Sequence, residues 1–351
     1  MRVLIALLAF SALAVVAATP VVAAEPIVIA HRGASGYRPE HTKAAYELAI
    51  EQGADFIEPD LVMTKDGVLV ARHENEIGRT TDVADHPEFA ARRTDRVIEG
   101  EAFKDGWFAE DFTLAELKTL RARERRPDLR RESATFDGRE AILTLQEIID
   151  IAKAGGQRRG RPVGLYIELK NPEHHRGRDL RMEPALIEVL KANGLNSREA
   201  PVFIQSFFPG ALMRLRAATP VRLMFLINSA PPPTEILAAN GIRAWSEVYS
   251  PAGLRRIASF ADAVGPETRL VLPRDAQDRT TAPTSFVTDA HAAGLLVHLW
   301  SVNADNTELP ADYRRGGAGE LGDAAGLARR LFDLGVDGLF SDHPDLALRG
   351  R

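Results

Sequence analysis

A small set of ionisable and polar residues sits where short apolar runs end. In IVIAHRGASGYRPEHT, residues 27–42, the apolar run stops at His31 and Arg32, ahead of a glycine-containing turn. The run ADFIEPDLVM (54–63) carries Glu58 and Asp60 at i and i+2. An extended chain points two such side chains to one face. His73 closes the segment KDGVLVARH that follows. The run VGLYIELK (163–170) repeats the spacing with Glu168 and Lys170. Gln205 lies in PVFIQSFF (201–208), and His298 and Trp300 lie in LLVHLWSV (295–302).

Burying several charges at strand ends is costly without compensation. Glu58, Asp60 and Glu168 offer three hard oxygen donors and no soft ones, a set suited to Ca²⁺ or Mg²⁺. Arg32 and Lys170 are placed as anion-holding cations beside such a metal. Gln205 and Trp300 are further candidates for contacting the bound anion or its substituents. Two histidines flanking an anion and a metal point to a general acid and a general base. The reaction class is metal-assisted hydrolysis of a phosphate ester. Each feature alone has a plainer reading. A lone Glu-x-Asp is usually solvated or ion-paired, and Lys170 balances Glu168. Gln205 and Trp300 fill a barrel, and His298 inside LLVHLW reads as a hydrogen-bonded core histidine. The coincidence of polar endings on four consecutive strand-like runs carries the chemical reading.

The elements that must bring these residues together are eight short apolar runs, at 26–31, 54–63, 163–170, 201–208, 221–227, 261–265, 295–302 and 336–342. Amphipathic stretches such as TKAAYELAIEQG, with Gly53 as its C-cap, separate most of them. Such βα alternation calls for a parallel sheet, and eight units predict a (β/α)₈ TIM barrel. HRGASGYRP lacks the glycine spacing of a dinucleotide-binding turn. Residues 64–162 are too long for a βα connection. They open with a hairpin turned at Asp66-Gly67, and 74–140 is predicted as a subdomain inserted on the face where βα loops gather. Thr113/Glu116 and Thr144/Glu147 are capping boxes. The basic run RARERRPDLRRES (121–133), broken by acidic residues, reads as a solvated loop.

The chain has 351 residues, 45% hydrophobic and 26% charged, with net charge −5. It has no global basic field to gather nucleic acid. Residues 1–24 have one early positive charge, an apolar run and a small-residue ending at Val22-Ala23-Ala24, the anatomy of a signal peptide. No later segment has the length and apolarity of a membrane span. The expected product is therefore exported, with no stable membrane anchor after cleavage. With no cysteine anywhere, it forms no disulfide, and a metal site cannot use thiolate.

The motifs AHRGASGYRPEHT, GADFIEPDLVMTKDGVLVARHE, LYIELKNP and GVDGLFSDHPD together resemble the glycerophosphodiester phosphodiesterase family, particularly its periplasmic bacterial members. The likeness covers essentially the whole mature chain, residues 25–351. It implies His31 and His73 as the acid–base pair and Glu58, Asp60 and Glu168 as ligands of one divalent cation, Ca²⁺ ahead of Mg²⁺. Arg32 and Lys170 would contact phosphate. It further implies release of glycerol 3-phosphate and an alcohol from deacylated phospholipids, in the periplasm or outside the cell. Three positions depart from the family pattern. Pro59 separates the two carboxylates and marks a bulge or a strand end. Glu74 stands where aspartate is common, and His41 where asparagine is frequent. Glu40 is read as supporting the site. A phospholipase D-like or teichoic-acid-cleaving phosphodiesterase, or a non-catalytic exported phosphodiester-binding protein, are the rival readings.

Overall fold

The computed structural model describes residues 25–230 and 244–351. The expected signal peptide lies outside them. In chain order the strands are β1 (Ile27–His31), β2 (Phe56–Glu58), β3 (Asp60–Met63) and β4 (Leu69–Ala71), followed by β5 (Thr94–Ile98) and β6 (Glu101–Gly106). Then come β7 (Gly164–Leu169), β8 (Val202–Ser206), β9 (Arg222–Ile227), β10 (Ala263–Pro266), β11 (Leu296–Leu299) and β12 (Gly338–Ser341). β12 pairs with β1, β1 with β2, and both β2 and β3 with β7. The remaining staves follow in sequence order back to β12. The result is a closed parallel barrel of eight staves, in which β2 and β3 act as one. A helix follows each stave, from Lys43–Gln52 after β1 to Pro344–Gly350 after β12.

Pro59 corrects one expectation. Phe56 aligns with Gly164 and Asp60 with Glu168, the same offset on both sides of the proline. No residue is inserted, so there is no bulge, and the stave does not end there. Pro59 removes one ladder donor while its carbonyl still accepts from the Glu168 N–H at 2.9 Å.

Caps fix where the helices begin. Thr42 accepts from the Ala45 N–H, and Gly53 closes the first helix in the left-handed conformation. Both capping boxes form. Thr113 starts only a single turn, Leu114–Leu117, whereas Thr144 starts the long helix Leu145–Arg159.

Apolar side chains fill two layers. One lies between the strands and the outer helices. The other fills the barrel itself, where Ile29, Phe56, Tyr166, Phe203, Met224 and Phe340 pack together. Tyr166 stacks on Phe203 with ring centroids 4.8 Å apart. This packed interior is a floor rather than a pore. Between β4 and Leu145, the chain forms the β5–β6 hairpin, short helical turns and a separate apolar cluster containing Ile77, Phe89, Trp107, Phe112 and Leu117. That cluster also takes in Val62 and Val70 of the β3–β4 hairpin, which roots the inserted segment on the barrel.

Candidate active site

Parallel staves bring their C-terminal ends to one rim whatever their sequence separation. There, a cavity of about 420 Å³ is lined by His31, Arg32, His73, Glu168, Lys170, Gln205 and Trp300, among others. Glu58 and Asp60 lie fully buried beside it. All nine sequence-predicted residues thus meet at one end of the barrel. His298 does not join them. It lies in the barrel interior with Nδ1 2.7 Å from the Tyr166 hydroxyl, and burial pushes its pKa down to about 4. The core reading of that residue describes it.

The turn after β1 is shaped by backbone geometry. Arg32 and Gly33 both have positive φ, 59° and 83°. At Gly33, a Cβ would fall 2.7 Å from the Ala45 carbonyl carbon, so a side chain is excluded by space as well as by φ. The turn aims the Arg32 N–H at Glu58 Oε2, 2.8 Å away. The Arg32 guanidinium reaches Glu40 and Asp60, each at 3.1 Å.

Glu58, Asp60 and Glu168 each place an oxygen within 4.8 Å of the others. Burial, then the Asp60 and Glu168 charges, raises the Glu58 carboxyl well above the ordinary range. Burial likewise lifts Glu168 to about 8, although Lys170 Nζ lies 2.7 Å away. At Asp60, burial is outweighed by Lys170, His73 and Arg32, which hold it ionised. Asp60 Oδ1 and Gln205 Oε1 are buried acceptors without a hydrogen-bond donor. Crowded, desolvated carboxylates with spare acceptors fit a hard divalent cation. Gln205 donates to Glu58 Oε1 at 3.2 Å, so it touches this cluster as well as the cavity.

Each candidate histidine is tied at one ring nitrogen. His31 Nδ1 lies 2.6 Å from Asp342 Oδ1, and His73 Nδ1 lies 2.7 Å from Glu74 Oε1. Nε2 is the nitrogen each ring has left for the cavity. Burial first, then Arg32 and Lys170, lower the His73 pKa to about 4. Trp300 donates from Nε1 to the Gly265 carbonyl and packs edge-on against Phe207 at the cavity wall.

Residues 31–346 match the glycerophosphoryl diester phosphodiesterase family. The chain belongs to that family. It is 35% identical to a glycerophosphodiester phosphodiesterase of Arabidopsis thaliana, over 90% of this chain and 82% of that protein. A glycerophosphodiester phosphodiesterase of Bacillus subtilis is 30% identical, over 91% and 84% of the two chains. Among solved structures, an Oleispira antarctica phosphodiesterase in complex with the product sn-glycerol-3-phosphate superposes with a TM-score of 0.60 at 25% identity, covering 93% of this chain and 96% of that one. The protein is an enzyme of this class, a glycerophosphodiester phosphodiesterase.

Several residues of the phosphodiesterase site escaped the sequence reading. His41, fully buried and at φ 58°, bonds Asp60 through Nε2 at 3.0 Å and Tyr46 through Nδ1 at 2.9 Å. Asp342 sits in SDHPD at the end of β12, and that motif was the available signal. The run 121–133 is not a solvated loop. Arg125, Arg126 and Arg130 all line the cavity. The carboxylates that draw them in are 85 and 212 residues away in sequence, at Glu40 and Asp342, where no local pattern reveals them. Glu40 accepts from Arg32 and Arg125, and burial at this residue is outweighed by those two charges, which keep it ionised.

Proposed function

We propose that the enzyme hydrolyses glycerophosphodiesters such as glycerophosphocholine and glycerophosphoethanolamine to sn-glycerol 3-phosphate and an alcohol. Glu58, Asp60 and Glu168 would hold one divalent cation, Ca²⁺ in first place and Mg²⁺ in second. The observation that carries this reading is a single cavity walled by two carboxylate-tethered histidines and by cations that include Arg32 and Lys170, beside a buried cluster of carboxylates. The product seen with the Oleispira antarctica phosphodiesterase supports the same outcome.

A cation held by Glu58, Asp60 and Glu168 would supply charge neutralisation at the phosphodiester and stabilise negative charge as it builds. Arg32 and Lys170 hold the phosphoryl oxygens. Their side chains are already fixed by Glu40, Asp60 and Glu168, so little rotamer freedom is lost on binding. An acceptor at Nδ1 keeps the ring proton there, and the Nε2 lone pair faces the substrate, the form a base requires. One histidine takes a proton from the nucleophile, either water or the substrate's own 2-hydroxyl. The other, the general acid, starts as the imidazolium with protons on both ring nitrogens and delivers its Nε2 proton to the departing alkoxide. Trp300 and Gln205 complete the wall around the ester substituents.

His31→Ala and His73→Ala should each lower kcat by about 10²–10⁴-fold. The assay couples release of glycerol 3-phosphate from glycerophosphocholine to its oxidation. Wild-type turnover in either purified variant would refute the acid–base role. EDTA should abolish turnover and Ca²⁺ restore it; full activity after chelation would remove the cation from the proposal. The reading includes export to the periplasm, which rests on residues 1–24. Intact-mass measurement of the exported protein should find Glu25 as its first residue.

A further inference from the structure

We propose that the inserted segment sets the working geometry of both catalytic histidines through Arg125 and Arg130, which act as positioning residues. This rests on reading His31 and His73 as the acid–base pair. The contacts form two parallel chains. Arg125 donates from Nη1 and Nη2 to Glu74 at 2.7 and 2.6 Å, and Glu74 holds His73 Nδ1. Arg130 donates from Nη2 to Asp342 Oδ2 at 2.5 Å, and Asp342 holds His31 Nδ1. Glu74 and Asp342 follow different strands, β4 and β12, yet both arginines come from one short loop.

Neither arginine is arranged to seize substrate. All three nitrogens of Arg125 are engaged by Glu40 and Glu74. Those of Arg130 are engaged by Asp305, Asp342 and the Ser35 carbonyl, and its side chain is 7% exposed. The loop is itself fixed. Ala122 and Arg123 donate backbone N–H groups to Glu140 and Thr80, Glu124 to Asp137, and the Ser133 hydroxyl bonds the Glu124 carboxylate. Arg125 grips Glu74 with a bidentate fork that fixes the carboxylate plane as well as its charge, whereas Arg130 gives Asp342 one Nη2 bond and is itself anchored by Asp305. Without them, Glu74 and Asp342 would be poorly solvated anions. Each would take up a proton or rotate away, and lose its grip on the Nδ1 proton.

The test is steady-state kinetics of Arg125→Gln and Arg130→Gln on glycerophosphocholine with saturating Ca²⁺. A positioning role predicts kcat lower by on the order of 10–100-fold, with KM changed less than about threefold. It also predicts that Arg130→Gln adds little in a His31→Ala background, and Arg125→Gln adds little in a Glu74→Gln, Glu40→Gln background. Arg130→Lys and Asp342→Asn serve if Arg130→Gln does not fold, with Lys recovering part of kcat. Arg123→Gln, on the same loop but pointing to Asp85 at the surface, should keep wild-type kcat. A raised KM at unchanged kcat, or losses that multiply fully in the double variants, would overturn the proposal. Failure of the acid–base reading shows separately, as undiminished turnover of His31→Ala alone.

Discussion

His41 and His298 are both buried, and their neighbours give them different work. His41 supports Asp60 and Tyr46 beside the carboxylate cluster. His41→Ala should weaken Ca²⁺ binding by about 10–100-fold, the usual effect of losing a partner of a metal ligand, as read by calorimetric titration. His41→Asn should lose less, since asparagine tolerates the left-handed backbone found there. His298 affects stability instead. Its folded pKa of about 4 lies below the ordinary 6.5, so between those values the unfolded chain takes up a proton that the folded ring refuses. Stability therefore falls as pH drops through that window, by about 3 kcal/mol in total for this group. Urea midpoints measured from pH 7 to pH 4 should show that loss, and His298→Gln should flatten part of it. The convergence of the nine predicted residues was legible because each lies within or at the end of a strand-like apolar run, or closes the hairpin that follows one. His41 and the arginines were not. Their roles depend on a backbone angle and on distant carboxylates, which composition does not encode.

At the scale of elements, periodicity and caps were the readable signals. Thr113 and Thr144 start helices as their spacing requires, Gly53 closes the helix that follows β1, and all eight apolar runs became staves. Thr144→Ala removes one side of a capping box on a helix that packs against the barrel. It should cost about 1 kcal/mol, measured by chemical denaturation, with kcat unchanged. Pro59 was harder to place from sequence. A missing donor signals a defect in a ladder, but only the partner strand shows whether register changes across it. Here it does not, and Asp60 keeps the facing of Glu58. The inserted segment was recognisable by its length alone. Its path was hidden because its apolar cluster is gathered from scattered turns rather than one periodic face, and its arginines are placed by ion pairs to distant carboxylates.

For the whole molecule, closing the barrel makes a rigid rim on which charges of both signs are held close together. A ligand that binds only the folded state adds stability by mass action. Ca²⁺ at about 100 times its Kd should stabilise the fold by about 2.7 kcal/mol, raising Tm by several degrees. Differential scanning fluorimetry with and without EDTA checks this, and Asp60→Ala should abolish the response. The order of the staves has a consequence in time. β12 closes the barrel against β1 and leads directly into Asp342, whose partner His31 lies 311 residues earlier. At ~5–20 residues per second, a ribosome needs roughly 15–60 s to cover that distance. During that interval His31 has β2 on one side but lacks Asp342 and the β12 stave on the other. If His31 is the acid or base proposed, a chain stopped before β12 should show no turnover, and activity would report that synthesis has run through the final stave.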